Sequence, residues 1–231
     1  MNLLRCFFKL DENDGIMSSR PLNPWIKCRS FALMVGCLIF CYSDSLMFEG
    51  RCAEPNPKYE AAVKAFRFGV KNAKYLVVDI SNQTLAVMRH DNVLKTYPVS
   101  TSKFGIGNKS GSHKTPLGMH KVCFKTGEGV PVGGVFKARQ FTGKTTRIYK
   151  DKTDVSQDLI TTRILRLEGL ESGVNKGPGI DSYKRYIYIH GTNEEGLIGK
   201  PSSHGCVRMK NDQVIELYKL IPKGTLVYIR E

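Results

Sequence analysis

From residue 74 onward the chain is a succession of short apolar runs punctuated by turn residues. Tyr75–Ile80 (YLVVDI) and Thr84–His90 (TLAVMRH) flank the turn-forming SNQ, and Val93–Ser100 follows a second turn signal at Asp91-Asn92. Gly118–Phe124, Arg163–Leu167, Tyr186–His190 and Thr225–Arg230 complete a set of seven predicted strands. The period changes once near the end. Val214, Ile215, Leu217, Tyr218 and Ile221 recur at helical spacing, with Asn211 as the expected N-cap and Pro222 and Gly224 as the stop. Upstream, Tyr59, Ala62, Val63, Phe66 and Val70 share that spacing and predict a helical lead-in over residues 53–73. This pattern predicts a mostly β protein, a compact mixed β-sandwich or barrel with one clear C-terminal helix.

The longest uncharged apolar run, Phe31–Tyr42, lies ahead of that domain. Its twelve residues fall short of the roughly 20 a stable membrane span needs, so no stable span is expected in the mature chain. Lys27 and Arg29 precede the run and Ser43 and Ser45 follow it, the order of a secretory signal. Met17 is an alternative start, Gly50 with Cys52 a second cleavage site, and a lipoprotein reading at Cys37 is weaker because apolar residues continue past it. A buried core strand or short helix is the alternative to export. The expected organisation is therefore an export segment at 1–52, the lead-in at 53–73 and one domain at 74–231, delivered to the periplasm or cell envelope.

Charge adds a partner class. The 231 residues carry a formal net charge of +14, and residues 54–231 hold 29 Lys and Arg against 16 Asp and Glu. Such an excess asks for an anionic partner. Sparse aromatic interleaving, and the absence of any helix with clustered Arg, argue against nucleic acid. Two long irregular stretches carry much of the charge. Residues 102–116 display Lys103, Lys109, His113 and Lys114 but lack phosphate-loop spacing; residues 127–134 and 143–158 form a second glycine-rich, charged region, and 137–170 is expected to be an insertion or lid. Of seven cysteines, Cys6, Cys28, Cys37 and Cys41 fall in or before the apolar run. Cys123 and Cys206 remain, with Cys52 depending on the cleavage site: too few for a disulfide framework, though pairing of Cys52 with Cys123 stays open.

Candidate chemistry concentrates in Tyr186–Met209, YIYIHGTNEEGLIGKPSSHGCVRM. Strand alternation places Tyr186, Tyr188 and His190 on one face, able to line a substrate groove, and Ile187 and Ile189 on the core face. Sixteen residues after His190 comes Cys206, within Ser203-His204-Gly205-Cys206-Val207-Arg208. A thiol acting in acyl transfer needs a base and donors for the developing oxyanion. His190 and His204 are the available imidazoles, and a backbone carbonyl near Gly191 can orient a histidine where no carboxylate sits in the motif. Two other readings stand beside this one. The first is an inert buried cysteine; the second is a zinc site of His190, His204 and Cys206, which lacks a fourth ligand at standard spacing.

The combination HGT…SHGCVRM resembles the L,D-transpeptidase catalytic domain, the YkuD-like family with its ErfK/YbiS-type envelope members. TPLGMHKV at Thr115–Val122 is similar to that family's TPxG strand, and the hairpin after residue 74 and the closing GTLVYI agree. The resemblance implies Cys206 as nucleophile and His190 as proton acceptor and donor. It implies oxyanion and substrate positioning by Ser203, His204, Gly205, Gly191 and Arg208, with no metal or cofactor. The implied reaction is attack on a tetrapeptide stem of peptidoglycan with release of D-Ala, then transfer of the thioester to an amine to form a 3→3 cross-link. Water as acceptor would make a carboxypeptidase or endopeptidase, and a protein lysine would anchor a wall lipoprotein. A non-catalytic basic module binding wall polymer is the reading from another class.

Overall fold

A computed structural model describes residues 74–155 and 157–231. The expected export segment and the helical lead-in lie outside the described residues. Strands β1 (Lys74–Asp79), β2 (Thr84–Arg89) and β3 (Asn92–Pro98) form an antiparallel meander, and β10 (Leu226–Arg230) runs parallel to β1 on its other side. Next come β4 (Gly118–Thr126) and β7 (Ile160–Gly169), both joined antiparallel. Here the sheet branches. β7 also pairs with β5 (Gly134–Lys137), which carries β6 (Gln140–Thr145), and with β8 (Tyr188–Thr192), which carries the short parallel strand β9 (Val207–Met209).

Leu76 and Val78 of β1, Leu85 and Val87 of β2, and Val227 and Ile229 of β10 point into the main core. Tyr75, Val77, Ala86 and Met88 bury the opposite face. A strand buried on both faces needs no polar alternation, which is why YLVVDI is apolar almost throughout. Ile187 and Ile189 reach the main core, while Tyr188 packs on the other side with Phe136, Ile164 and Cys206, the division that a period of two requires. The single α-helix of the described residues, α1 (Asn211–Leu220), lays Val214, Leu217 and Tyr218 on the main core.

Three details differ from the sequence pattern. Among the described residues there are ten strands rather than seven, because β5, β6 and β9 carry little apolar signal. The strand expected at Tyr186–His190 is shifted to Tyr188–Thr192, since Tyr186 adopts a left-handed backbone (φ 56°) that ends strand geometry before Ile187. Lys210 is the N-cap, and Asn211 is instead the first helical residue with its side chain turned inward. Its Oδ1 accepts from Thr161 (2.7 Å) and Thr162 (2.5 Å), and its amide donates to Thr192 O and Glu195. Thr162 is left-handed (φ 66°) at a bulge in β7, where the register skips from Thr161↔Gly191 to Ile164↔His190. The bulge thus sits directly across from His190, a placement common beside functional sites.

Candidate active site

Parallel pairing of β8 and β9 brings the two motif halves together, with Ile189 opposite Val207 and His190 opposite Arg208. Cys206 ends the turn that feeds β9. Gly205 in that turn has φ 120°, and a Cβ there would stand 3.3 Å from the Lys114 carbonyl oxygen. Ser203 clamps the turn. It is fully buried, its hydroxyl donates to Cys206 O (2.6 Å) and accepts from Gly205 N–H (3.2 Å), and Thr115 donates to Gly205 O (3.1 Å). The Gly205 N–H is therefore engaged within the turn.

The Cys206 sulfur lies 3.5 Å from the Tyr186 carbonyl oxygen, to which its S–H donates. Burial pushes the thiol up to about 12, and the Asp158 charge adds to it, against the pull of the Tyr188 N–H, Arg208 and Arg185. His190 is 1 % exposed, and its Nδ1 contacts Gly191 O at 2.7 Å. A carbonyl only accepts, so Nδ1 carries the proton and Nε2 keeps a free lone pair, the form a general base needs. Burial lowers the His190 pKa, opposed by the Asp158 charge and the Gly191 carbonyl. That lowering favours the neutral imidazole.

Arg208 is 1 % exposed and touches no open surface. Its guanidinium joins Glu194 (2.6 Å) to Asp158 (2.7 Å), and the other Asp158 oxygen meets His204 Nδ1 at 2.9 Å. Burial alone would raise the Asp158 carboxyl, but the hydrogen bond and charge of Arg208 outweigh it and hold the group below its ordinary value. Arg208 thus braces the site from within rather than reaching outward as a direct substrate contact. His204 is exposed at the site's edge, its ring 5.5 Å from Phe104 and 6.0 Å from His113 between centroids. Those two residues belong to the 102–116 stretch, which packs along the SHGC turn through Lys103 N–H to Ser203 O (3.0 Å). Tyr188 is buried beside Cys206, and Tyr186 is 53 % exposed.

Sequence reasoning left out Asp158, Arg139, Arg166 and Arg185. Arg185 interacts electrostatically with Cys206, and Arg139 and Arg166 with the Tyr188 hydroxyl. Asp158 and Arg139 lie within the stretch read as an insertion, where a single acid or arginine carries no local signal. Among the described residues no three His, Cys, Asp or Glu side chains converge as metal ligands, and His190, His204 and Cys206 do not form a set.

The sequence has relatives. A family model of the L,D-transpeptidase catalytic domain matches residues 73–229. A putative L,D-transpeptidase of Bacillus subtilis, YqjB, is 54 % identical over 47 residues, covering 20 % of this chain and 27 % of that protein. A probable L,D-transpeptidase of Escherichia coli, YbiS, is 46 % identical over 43 residues, covering 19 % and 14 %. The chain spans about a quarter of the length of the first of these curated relatives. Among solved structures, an L,D-transpeptidase of Mycobacterium smegmatis aligns over 68 % of this chain and 58 % of its own at 20 % identity, with a TM-score of 0.42. With more than half of its residues matched by the family model, the chain belongs to the L,D-transpeptidase catalytic-domain family.

Proposed function

We propose that the protein is a peptidoglycan L,D-transpeptidase in which Cys206 is the nucleophile and His190 the proton carrier. His190 Nε2 takes the Cys206 proton as the sulfur attacks the carbonyl of the third stem residue, a diamino acid. The peptide C–N bond breaks, the proton passes to the departing D-Ala amine, and a thioester remains. An acceptor amine of a second stem attacks that thioester, gives its surplus proton to His190 Nε2, and the sulfur leaves with it as a thiol. The new bond is the 3→3 cross-link. Ser203 holds the turn that presents Cys206, and Arg208 ties β9 to Asp158 and Glu194.

The observation that carries this reading is the His190 Nδ1 contact to Gly191 O, which fixes the tautomer with Nε2 available as base. The family's site of action is the wall, and export by the 1–52 segment delivers the domain there. The test is intact-mass measurement of the full chain incubated with a tetrapeptide stem. The expected result is a mass gain equal to the stem less D-Ala, absent in Cys206→Ala. Product masses then name the acceptor: 3→3 dimers support transfer to a stem, tripeptides support water, and protein-linked stems support a wall lipoprotein. No adduct on folded protein would sink the assignment.

A further inference from the structure

Three arginines from three separate elements reach Cys206 or the two tyrosines beside it, and none of them has a carboxylate partner among the described residues. Arg185, in the loop before β8, spends its donors on the carbonyls of Gly107 (3.1 Å) and Lys114 and is a loop fastener. Arg166, on β7, donates to Tyr183 O (2.8 Å), lies 3.4 Å over the Tyr183 ring and stands 5.1 Å from the Tyr186 ring. Arg139, at the β5–β6 turn, stands 5.5 Å from the same ring and makes one long contact, 3.5 Å, to the Tyr188 hydroxyl. The exposed Tyr186 ring thus lies within 5.5 Å of two guanidinium groups, while the Tyr186 carbonyl meets the Cys206 thiol.

Arg166 is buried and already donates one N–H to Tyr183 O, so its contribution is charge, whereas Arg139 has most of its N–H edge unspent, the edge that grips a carboxylate through two parallel hydrogen bonds. The turn carrying Arg139 is unusual in the same direction. Lys137 pairs with Gln140, so Ala138-Arg139 is a two-residue hairpin connection, with φ 49° and 69°. Such a turn favours Asn-Gly, and a Cβ at both positions is strained. Strain of this kind persists where the position serves a purpose. Here it carries an arginine to the Tyr188 hydroxyl and the Tyr186 ring, on the two tyrosines beside Cys206.

We propose that Arg139, with the charge of Arg166 beside it at the Tyr186 ring, forms a carboxylate-binding subsite that selects donor peptides with a free carboxylate next to the scissile carbonyl. This rests on the acyl-transfer reading above. Two carboxylates of a stem donor fit that chemistry: the one on the departing terminal residue and the one on the side chain of the diamino acid. Their amides do not. A carboxamide presents N–H groups to a guanidinium and loses the charge.

The experiment compares three tetrapeptide donors with the full chain: free acid, terminal carboxamide, and amide at the diamino-acid side chain. Initial acyl-enzyme formation is read by intact mass across donor concentrations. The unaltered protein is expected to favour the free acid over one of the two amides by about 10- to 100-fold, through KM, the size of one charge-assisted bidentate contact. The arm that loses identifies the carboxylate. Arg139→Gln should bring that ratio toward one, and Arg139→Lys should restore part of it. Equal acylation of all three donors by the unaltered protein, or full discrimination in Arg139→Gln, overturns the subsite and leaves the transfer reading standing. No acyl-enzyme from any donor overturns both.

Discussion

The Cys206 thiol donates to the carbonyl oxygen of Tyr186 at 3.5 Å, and Tyr186 reaches that place only through a left-handed backbone. A thiol donating to a carbonyl is a protonated thiol. Burial pushes that thiol up to about 12, so a resting thiol rather than a preformed thiolate–imidazolium pair is the expectation to test. Alkylation by iodoacetamide requires the thiolate, so its rate at Cys206 should climb about tenfold per pH unit from pH 7 to 10 without a plateau. Mass-resolved alkylation of the folded protein measures this, with Cys206→Ala as the blank. A plateau below pH 8 would mean that the thiol ionises easily and that the Tyr186 contact does not hold it.

His190 sets the acidic limb of activity. Its pKa is lowered by burial, and a base is competent while neutral, so acylation should persist below the ordinary imidazole value of 6.5. The Asp158 charge works the other way by favouring imidazolium. Asp158→Asn removes that charge and should move the acidic limb of kcat/KM further toward low pH. A limb that moves upward in this variant would show that Asp158 acts on His190 by some route other than its charge.

How this site could be read from the chain depends on the range of each contact. Cys206 and His190 announce themselves because their neighbours, Gly205 and Gly191, do local work that the sequence displays. The Gly191 carbonyl as orienting acceptor follows from the lack of a carboxylate in the motif, and the structure places it against His190 Nδ1. Asp158 could not be read that way. It lies 46 residues before His204 in a charged stretch, and only folding brings it to that histidine and to Arg208. β6 failed for a different reason: QFTGKT is exposed at every position, so no buried face imposes alternation. β9 is three residues long and its middle one is a buried arginine, which pattern alone assigns to a polar surface.

The Arg208 network should behave as a buried ion pair does. Glu194 accepts from Arg208 and, through its second oxygen, from the Val155 N–H (2.7 Å). Glutamine cannot replace it, since one of those two donors would then face an NH2 group. Glu194→Gln should cost about 3 kcal/mol, near the lower end for breaking a buried pair, because Asp158 still holds Arg208. The exposed pair Lys176–Glu168 provides the contrast, and Lys176→Ala should cost at most about 1 kcal/mol. Urea denaturation with an unchanged m-value measures both. A similar loss in the two variants would contradict the burial argument.

Gly191 is the point where the base, the bulge and the helix meet, and no side chain fits there. A Cβ would lie 2.5 Å from Asn211 Oδ1, 2.8 Å from Thr161 O and 3.0 Å from Thr161 Oγ1. Two of these atoms belong to the hydrogen-bond group that ties α1 to β7, and the third is backbone of the bulged strand, so none can swing aside as a flexible side chain would. Gly191→Ala must therefore push β7 and β8 apart at the residue that supplies the carbonyl to His190. The expected outcome is destabilisation of about 1–3 kcal/mol, as for overpacking a filled interior. Acyl-enzyme formation should fall by more than that stability loss explains, because the His190 ring loses its orienting acceptor while the Cys206 turn, clamped by Ser203, stays in place. Denaturation and acylation measured on the same folded preparation separate the two effects. Unchanged acylation in folded Gly191→Ala would show that the Gly191 carbonyl does not set the position of the His190 ring.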